Sequence, residues 1–401
     1  MPGRITDIES YLTEAGLKPH RNTNQFWSYL DTRYSKSQVS ELESSYVKLE
    51  QGDENGFYQD IFQSPAISTD FSSLRWDLYR SYLSWFTSIT NTFDEPKQIV
   101  DVGCGNGILT CFYAKRFPNA KVLGFDISEN GVACAKELSK LLGVSNAEFV
   151  VGDSFDLSLP IEKGSADLIL SVASLGPSAS EADSDVSAYD LLTTKPKLKE
   201  MIQLTNLVPY LEPTRGLFIS FDKVSNLAMQ VTWANIIQRC GLGVDLSRSS
   251  WLTYQNIESD SITLPVIVAG PHLKASSADD IMSFLVTHET DFSKWMLDFG
   301  KESLAEAVFT FINPKEFLRG ARASYKDGSG TYWYELWQAG PFAVVFEHTD
   351  KGFRTLRVSP STKRDELQQG VDEWMEQTSS YADVVELKAP EIQFGNGNSR
   401  G

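Results

Sequence analysis

Between Val100 and Gly107 the chain reads VDVGCGNG, with glycines at 103, 105 and 107 and an acid, Asp101, two residues before the first of them. Alternate glycines suit a main chain pressed against a bound molecule. The turn needs positive φ, and any side chain would hold the ligand off the backbone. A dinucleotide fingerprint, G-x-G-x-x-G, would require glycine at 103, 105 and 108; residue 108 is Ile. Further acids follow at regular places. Lys121 to Asp126 (KVLGFD) ends in a carboxylate 19 residues after Gly107, near the interval of about 20 at which such folds hydrogen-bond a ribose. Glu148 to Asp153 (EFVVGD) ends in another, and Asp167 to Val172 (DLILSV) carries Ser171 near its end.

These residues need a scaffold of strands and helices. Gln98 to Val102 is a β-branched run after Asp94, Glu95 and Pro96, and Ile108 to Phe117 takes up helical spacing, so the glycines form a strand-to-helix turn. Ser128 caps the next helix and Gly143 can close it. A fifth strand is predicted at Gly216 to Phe221, a helix at Leu227 to Cys240, and a last strand pair at Trp251 to Gln255 and Ile262 to Ala269. Strands alternating with helices predict an α/β, doubly wound sheet whose ligands lie beyond the carboxyl ends of the strands.

The pattern D-x-G-x-G-x-G, followed by strands ending in Asp126 and Asp153, resembles the motifs of the class I S-adenosylmethionine-dependent methyltransferases. The resemblance covers residues 95 to 272 and implies a seven-stranded Rossmann-like sheet with an antiparallel final strand. It also implies S-adenosyl-L-methionine as cofactor. The expected binding set is Asp101, Gly103, Cys104, Gly105, Asn106 and Gly107 in the glycine turn, and Asp126 with Ile127 at the ribose. Asp153, Ser154 and Phe155 fall at the adenine, and Ser171 beside the methyl donor.

Composition bounds the remaining possibilities. With 401 residues, 41% hydrophobic and 12% aromatic, the chain can fill two or three cores. No stretch approaches the roughly 18 to 20 apolar residues of a membrane span, and MPGRITDIESYL lacks the apolar run of a secretion signal, so a cytoplasmic protein without membrane partners is expected. Cys104, Cys111, Cys134 and Cys240 have no C-x-x-C pairing and read as reduced packing residues. A net charge of −17 argues against a nucleic-acid substrate, because binding a phosphate backbone means neutralising it with Lys and Arg. The stretch after the fourth strand, Ser171 to Gly176 (SVASLG), lacks the Asn/Asp-Pro-Pro-aromatic motif of amino-methylating nucleic-acid enzymes. A Pro-Cys nucleophile and the paired-glutamate loop of arginine methyltransferases are missing too.

Three parts are predicted: a helical cap or lid at 1–94, the cofactor domain at 95–272, and a small α+β domain at 273–401. In the first, Gln38 to Leu49 and Thr69 to Phe93 carry helical spacing, and Trp76, Tyr79, Tyr82 and Phe86 make a stripe that reads as core or as a lid over the ligand. In the lid reading Gly56, Phe57, Tyr58, Gln59 and Arg75 or Arg80 face the pocket, an arginine suiting the methionine carboxylate. Gly176 to Asp190 is a surface loop or an active-site flap. In the third part, helices at 278–299 and 304–311 precede strands at 317–325, 331–338, 342–348 and 353–358, a helix at 363–376 and a polar tail from 391. Aromatics of both parities in Tyr332, Trp333, Tyr334 and Trp337 indicate a strand buried on both sides, or else a recognition surface.

Methyl transfer from a sulfonium is in-line displacement, so the protein's task is alignment and exclusion of water. A base is needed only where the acceptor must lose a proton; the candidates by position are His272, Asp222, Tyr189 and His288. His288, Glu289 and Asp291 do not follow a metal-ligand spacing, and no metal is expected. The favoured acceptor is a small molecule, attacked at O, N or C. Alternatives are a protein or peptide acceptor recognised by 273–401, or a scaffold that binds the cofactor without chemistry.

Overall fold

The computed structural model describes residues 7–50, 53–176, 199–224, 227–276, 280, 281, 284, 285, 309, 315–340 and 342–391. They fall in two compact units, the first holding the described parts of 1–181, 196–225 and 233–275, the second those of 182–195, 226–232 and 276–401. The predicted flap beyond Gly176, most of the two helices predicted at 278–311 and the tail after Glu391 lie outside the described residues.

The first unit is built on an eight-stranded sheet ordered β3-β2-β1-β4-β5-β8-β6, with β7 paired to β8. β1 (Gln98–Val102), β2 (Lys121–Asp126), β3 (Ala147–Val151), β4 (Leu168–Val172) and β5 (Leu217–Phe221) run parallel, as the alternating pattern predicts. Ile99 to Val102, Leu168 to Ser171 and the whole of β5 are buried, which is why these strands read as continuous apolar runs. β8 (Ser261–Gly270) runs antiparallel to β5, with the short β6 (Gly243–Val244) outside it and β7 (Ser250–Gln255) folded back as a hairpin. β6, two residues long, had no readable sequence pattern. Between strands stand α7 (Ile108–Arg116), α8 (Glu129–Leu141) and α9 (Lys199–Leu207), and α10 (Leu227–Arg239) follows β5 in the chain.

Six helices precede β1: α1 (Ile8–Glu14), α2 (Thr23–Arg33), α3 (Lys36–Glu50), α4 (Glu54–Ile61), α5 (Pro65–Ser72) and α6 (Trp76–Thr90). The single helix expected from 69 to 93 is two, joined by a 3₁₀ turn at Ser73–Arg75. Ser72 and Ser73 return their hydroxyls to the carbonyls of Ser68 and Thr69, a local bond that competes with helix continuation. These helices divide between two cores. α1 and α6 bury Tyr11, Leu12, Tyr82 and Phe86 in the core of the sheet, where Tyr82 stacks on Phe221 with ring centroids 5.5 Å apart. α2 to α5 share a separate core of Phe26, Leu30, Phe57, Phe62 and Phe71. In the aromatic stripe of α6, Tyr79, Tyr82 and Phe86 are therefore core, with Trp76 half-buried against them, and Tyr79 also reaches the cavity.

The second unit is a five-stranded antiparallel sheet ordered β12-β11-β10-β9-β13: β9 (Lys315–Tyr325), β10 (Thr331–Ala339), β11 (Phe342–Thr349), β12 (Arg354–Pro360) and β13 (Ala382–Leu387). α11 (Arg364–Ser379) packs Val371 and Trp374 against Tyr334, Leu336 and Val345. β10 buries Tyr334, Glu335, Leu336 and Trp337 in succession, so both of its faces are covered. β13 was not read from ADVVEL, whose alternation is broken by Glu386; that carboxylate pairs with Arg319 at 2.8 Å, beside Asp372 of α11.

Candidate functional site

The carboxyl ends of β1, β2 and β4 and the loop after β3 open on one cavity of about 1410 Å³ in the first unit. Gly103, Gly105 and Gly107 take φ of +65°, +51° and +81°, the left-handed region that penalises side chains. They serve different neighbours. A Cβ on Gly103 would stand 2.5 Å from Ser174 Oγ, and one on Gly107 would stand 2.8 Å from Ala135 Cβ in α8. A Cβ on Gly105 would meet only the Phe62 ring, at 3.5 Å. Gly103, Cys104, Gly105 and Asn106 lie on the cavity wall; Gly107 does not, because its role is to seat the turn on α8.

Asp126 is held by two amides, Gly105 N–H donating to Oδ2 and Ser128 N–H to Oδ1, each at 2.8 Å. Each oxygen keeps a further lone pair, and the carboxylate is on the wall. Burial raises its pKa against the pull of those amides. Asp101 is 2% exposed and accepts a hydrogen bond from the Thr110 hydroxyl. Burial pushes its pKa up to about 7, with Thr110 opposing and Asp126 adding to the rise. Asp153 accepts from Phe155 N–H at 2.9 Å, and Ile127 and Phe155 stand exposed beside Asp126 and Asp153 on the same wall.

Two side chains that sequence reasoning missed hold the loop after β3. Gln203 Nε2 donates to Ser154 Oγ at 2.7 Å, and Asn206 Nδ2 donates to the carbonyls of Ser154 and Phe155 at 3.0 and 2.9 Å. Both stand on α9, three residues apart, which places them on one helix face. That spacing was the available signal.

Ser171 and Asp222 are not on the wall. Ser171 is fully buried and donates to Asp222 at 2.9 Å, so it is an internal tie. Asp222, 1% exposed, also accepts from Ser220 Oγ and from the N–H groups of Ser174 and Leu175 at 2.7 and 3.0 Å. With its lone pairs engaged it staples the loop after β4, where Ala173 takes φ of +56°, and it is no free base.

His272 stands at the opposite edge of the sheet, with Pro96, Leu168, Leu217 and Arg215 around a separate cavity of about 250 Å³ at the amino ends of β1, β4 and β5. β8 runs antiparallel, so the chain leaves it at that edge. His272, a candidate base by position, therefore stands away from the larger cavity. Tyr189 and His288 lie outside the described residues, as do Glu289 and Asp291. Among the described residues no group of three His, Cys, Asp or Glu is placed to hold a metal.

The opposite wall comes from the helices before β1. Phe57, Tyr58, Gln59 and Arg75 line the cavity, while Gly56 and Arg80 do not; Arg80 turns away to Asp77 and Glu9. Tyr58 stacks on Phe62 at 5.6 Å and accepts from the Arg75 guanidinium. The glycine turn is latched to this wall: Asn106 Nδ2 donates to Ser68 Oγ at 2.7 Å, Ser68 O at 3.2 Å and Ser72 Oγ at 2.9 Å. Cys134 of α8 donates to Phe62 O at 3.4 Å.

Residues 93–207 match the family model of a methyltransferase domain. Cephaeline 6'-O-methyltransferase CiOMT of Carapichea ipecacuanha is 44% identical over 70 residues, 18% of this chain and 18% of its own length. The ribosomal RNA large subunit methyltransferase G of Streptomyces avermitilis is 32% identical over 97 residues, 24% of each chain. The demethylmenaquinone methyltransferase of Lactococcus lactis is 31% identical over 115 residues, 28% of this chain and 44% of its own. The chain thus spans less than half the length of each of these curated relatives. A SAM dependent methyltransferase structure from Aquifex aeolicus aligns over 46% of this chain and 88% of its own, at 15% identity and a TM-score of 0.32. The glycine turn and the strand-end acid Asp126 fall inside the matched stretch, and residues 93–207 are accordingly a methyltransferase domain.

Proposed function

We propose that this chain transfers a methyl group from S-adenosyl-L-methionine to a small-molecule acceptor. The observation that carries the reading is one cavity joining the Gly105 backbone, Asp126 and Asp153 to an aromatic wall. The residues fit the cofactor. Gly105 offers a main chain that a Cβ would obstruct, and Asp126 is oriented by two amides with lone pairs to spare for ribose hydroxyls. Asp153 and the exposed faces of Ile127 and Phe155 suit an adenine ring, and Asp101 a methionine ammonium. When bound, the cofactor supplies an electrophilic methyl on a sulfonium.

The protein's own part is placement. At about 1410 Å³ the cavity exceeds the roughly 300 to 1,000 Å³ of a typical single-ligand pocket, leaving space for an acceptor beside the donor. Phe57, Phe62, Leu74, Leu78 and Tyr79 bring apolar surface to that space, and holding both reactants in line supplies the rate. The −17 net charge supports a small molecule over nucleic acid. No helix among the described residues is long and apolar enough to cross a membrane.

Calorimetric titration of the full chain with S-adenosylmethionine and S-adenosylhomocysteine tests the reading. Micromolar binding of both is expected, and binding of neither overturns it. Removing residues 1–94 would not test a lid, because Tyr82 and Phe86 belong to the core of the sheet.

A further inference from the structure

Arg75 is the one cation on the cavity wall among the described residues, facing six carboxylate side chains from Asp60 to Glu258. None of the six is its partner. Arg75 makes no ion pair with a described residue, and its neighbours are phenols: it donates to Tyr58 Oη, lies 5.7 Å from the centre of that ring, and has Tyr79 as a second hydrogen-bonding neighbour. It is set deep in the protein and partly open to the cavity. A guanidinium in such a place has lost much of its water without gaining a counter-ion, and its five N–H donors form a fork that matches a carboxylate. Two phenol oxygens leave donors free.

The subsite belongs to the helices before β1, since Tyr58 is on α4, Arg75 in the 3₁₀ turn and Tyr79 on α6. The groups assigned above to the donor belong to the ends of β1 to β3. The same helices bring the apolar side chains of Phe57, Phe71, Leu74 and Leu78 to the cavity wall. We infer that Arg75, beside Tyr58 and Tyr79, binds a carboxylate of the methyl acceptor, and that the acceptor is an apolar or aromatic carboxylic acid. The inference rests on the proposed donor site and gives its acceptor a chemical class.

The test is calorimetry on the full chain saturated with S-adenosylhomocysteine, titrated with 2-naphthoate and with its uncharged analogue 2-naphthamide. The acid is expected to bind about tenfold or more tightly than the amide, the scale of hydrogen bonds to a charged group. Arg75→Met should erase that preference and leave the affinity for S-adenosylhomocysteine within about threefold, less than the loss of one such bond. Equal binding of acid and amide, or of neither, overturns the inference while homocysteine-product binding leaves the donor reading standing. If Arg75→Met weakens S-adenosylhomocysteine but not 5'-methylthioadenosine, which lacks the amino-acid carboxylate, Arg75 holds the donor and the inference fails. Should Arg75→Met not fold, Arg75→Lys reads the same ratio. A lysine cannot reproduce the fork, so the acid's advantage falls, and an unchanged ratio overturns the inference.

Discussion

The helices before β1 fall into two groups with similar amphipathic sequences and different work. α1 and α6 complete the core of the sheet; α2 to α5 enclose a core of their own and turn Tyr58, Phe62 and their neighbours toward the cavity. Aromatic residues at three- and four-residue steps mark a buried helix face in both groups. What separates them is the neighbour each face meets. α6 meets β5 and α7, whereas the 3₁₀ break at Ser73–Arg75 lets α5 lean on the glycine turn instead. The first group fills the core of the sheet, with Leu78 and Tyr79 of α6 also reaching the cavity, and the second couples the cavity wall to the glycine turn.

The largest expected effect lies in the first group. Phe86 is fully buried, stacked on Tyr82 and 5.0 Å from the ring of Tyr113. Phe86→Ala should cost about 3–5 kcal/mol, as for other aromatic truncations in cores, read as a lower urea midpoint for the whole first unit. A loss confined to ligand affinity would overturn the assignment of Phe86 to the core of the sheet.

Next comes Asp101, beneath the glycine turn. Its folded pKa of about 7 lies above the ordinary aspartate value of 3.8, so between these pH values the folded chain keeps a proton that the unfolded chain gives up. Stability therefore falls as pH rises from about 4 to about 7, and the loss is complete above. At about 1.4 kcal/mol per unit it amounts to as much as about 4 kcal/mol. Asp101→Asn removes this dependence. Urea unfolding at pH 5 and pH 8 should show a smaller drop for the variant than for the parent; equal drops would refute the assignment.

A smaller effect is expected at the ligand. Asp126→Ala should weaken S-adenosylhomocysteine by about 1–3 kcal/mol, the worth of a partly buried charge-assisted bond. Unchanged affinity by calorimetry would remove Asp126 from the donor site. The latch comes last. Asn106→Ala gives up three hydrogen bonds to Ser68 and Ser72, at a net cost of about 1–2 kcal/mol. Faster amide exchange in α5 with unchanged exchange in α6 would sharpen the contrast between the two groups, and equal acceleration in both would dissolve it.

The parallel order of β1 to β5, the glycine turn and the acids at 126 and 153 were legible because each follows from local chemistry. β-branched runs need burial on both faces, the turn needs positive φ, and a helix needs a cap. Phe57 to Gln59 and Arg75 were placed on the cavity by the same reading, although it left Arg75 and Arg80 open. Asp77 decided between them by drawing Arg80 outward. Gln203 and Asn206 went unread because polar residues on a helix face carry no mark of what they bind.

Sequence by itself determined the sheet's direction and the backbone cradle, since glycine spacing and apolar runs act through bonds and neighbours a few residues away. Tertiary structure alone decided the roles of single side chains. His272 and Asp222 follow strands as a catalytic candidate would, but the antiparallel course of β8 carries one to the far edge, and four donors consume the lone pairs of the other. Distance and hydrogen-bond saturation are properties of the packed chain, and no local spacing encodes them.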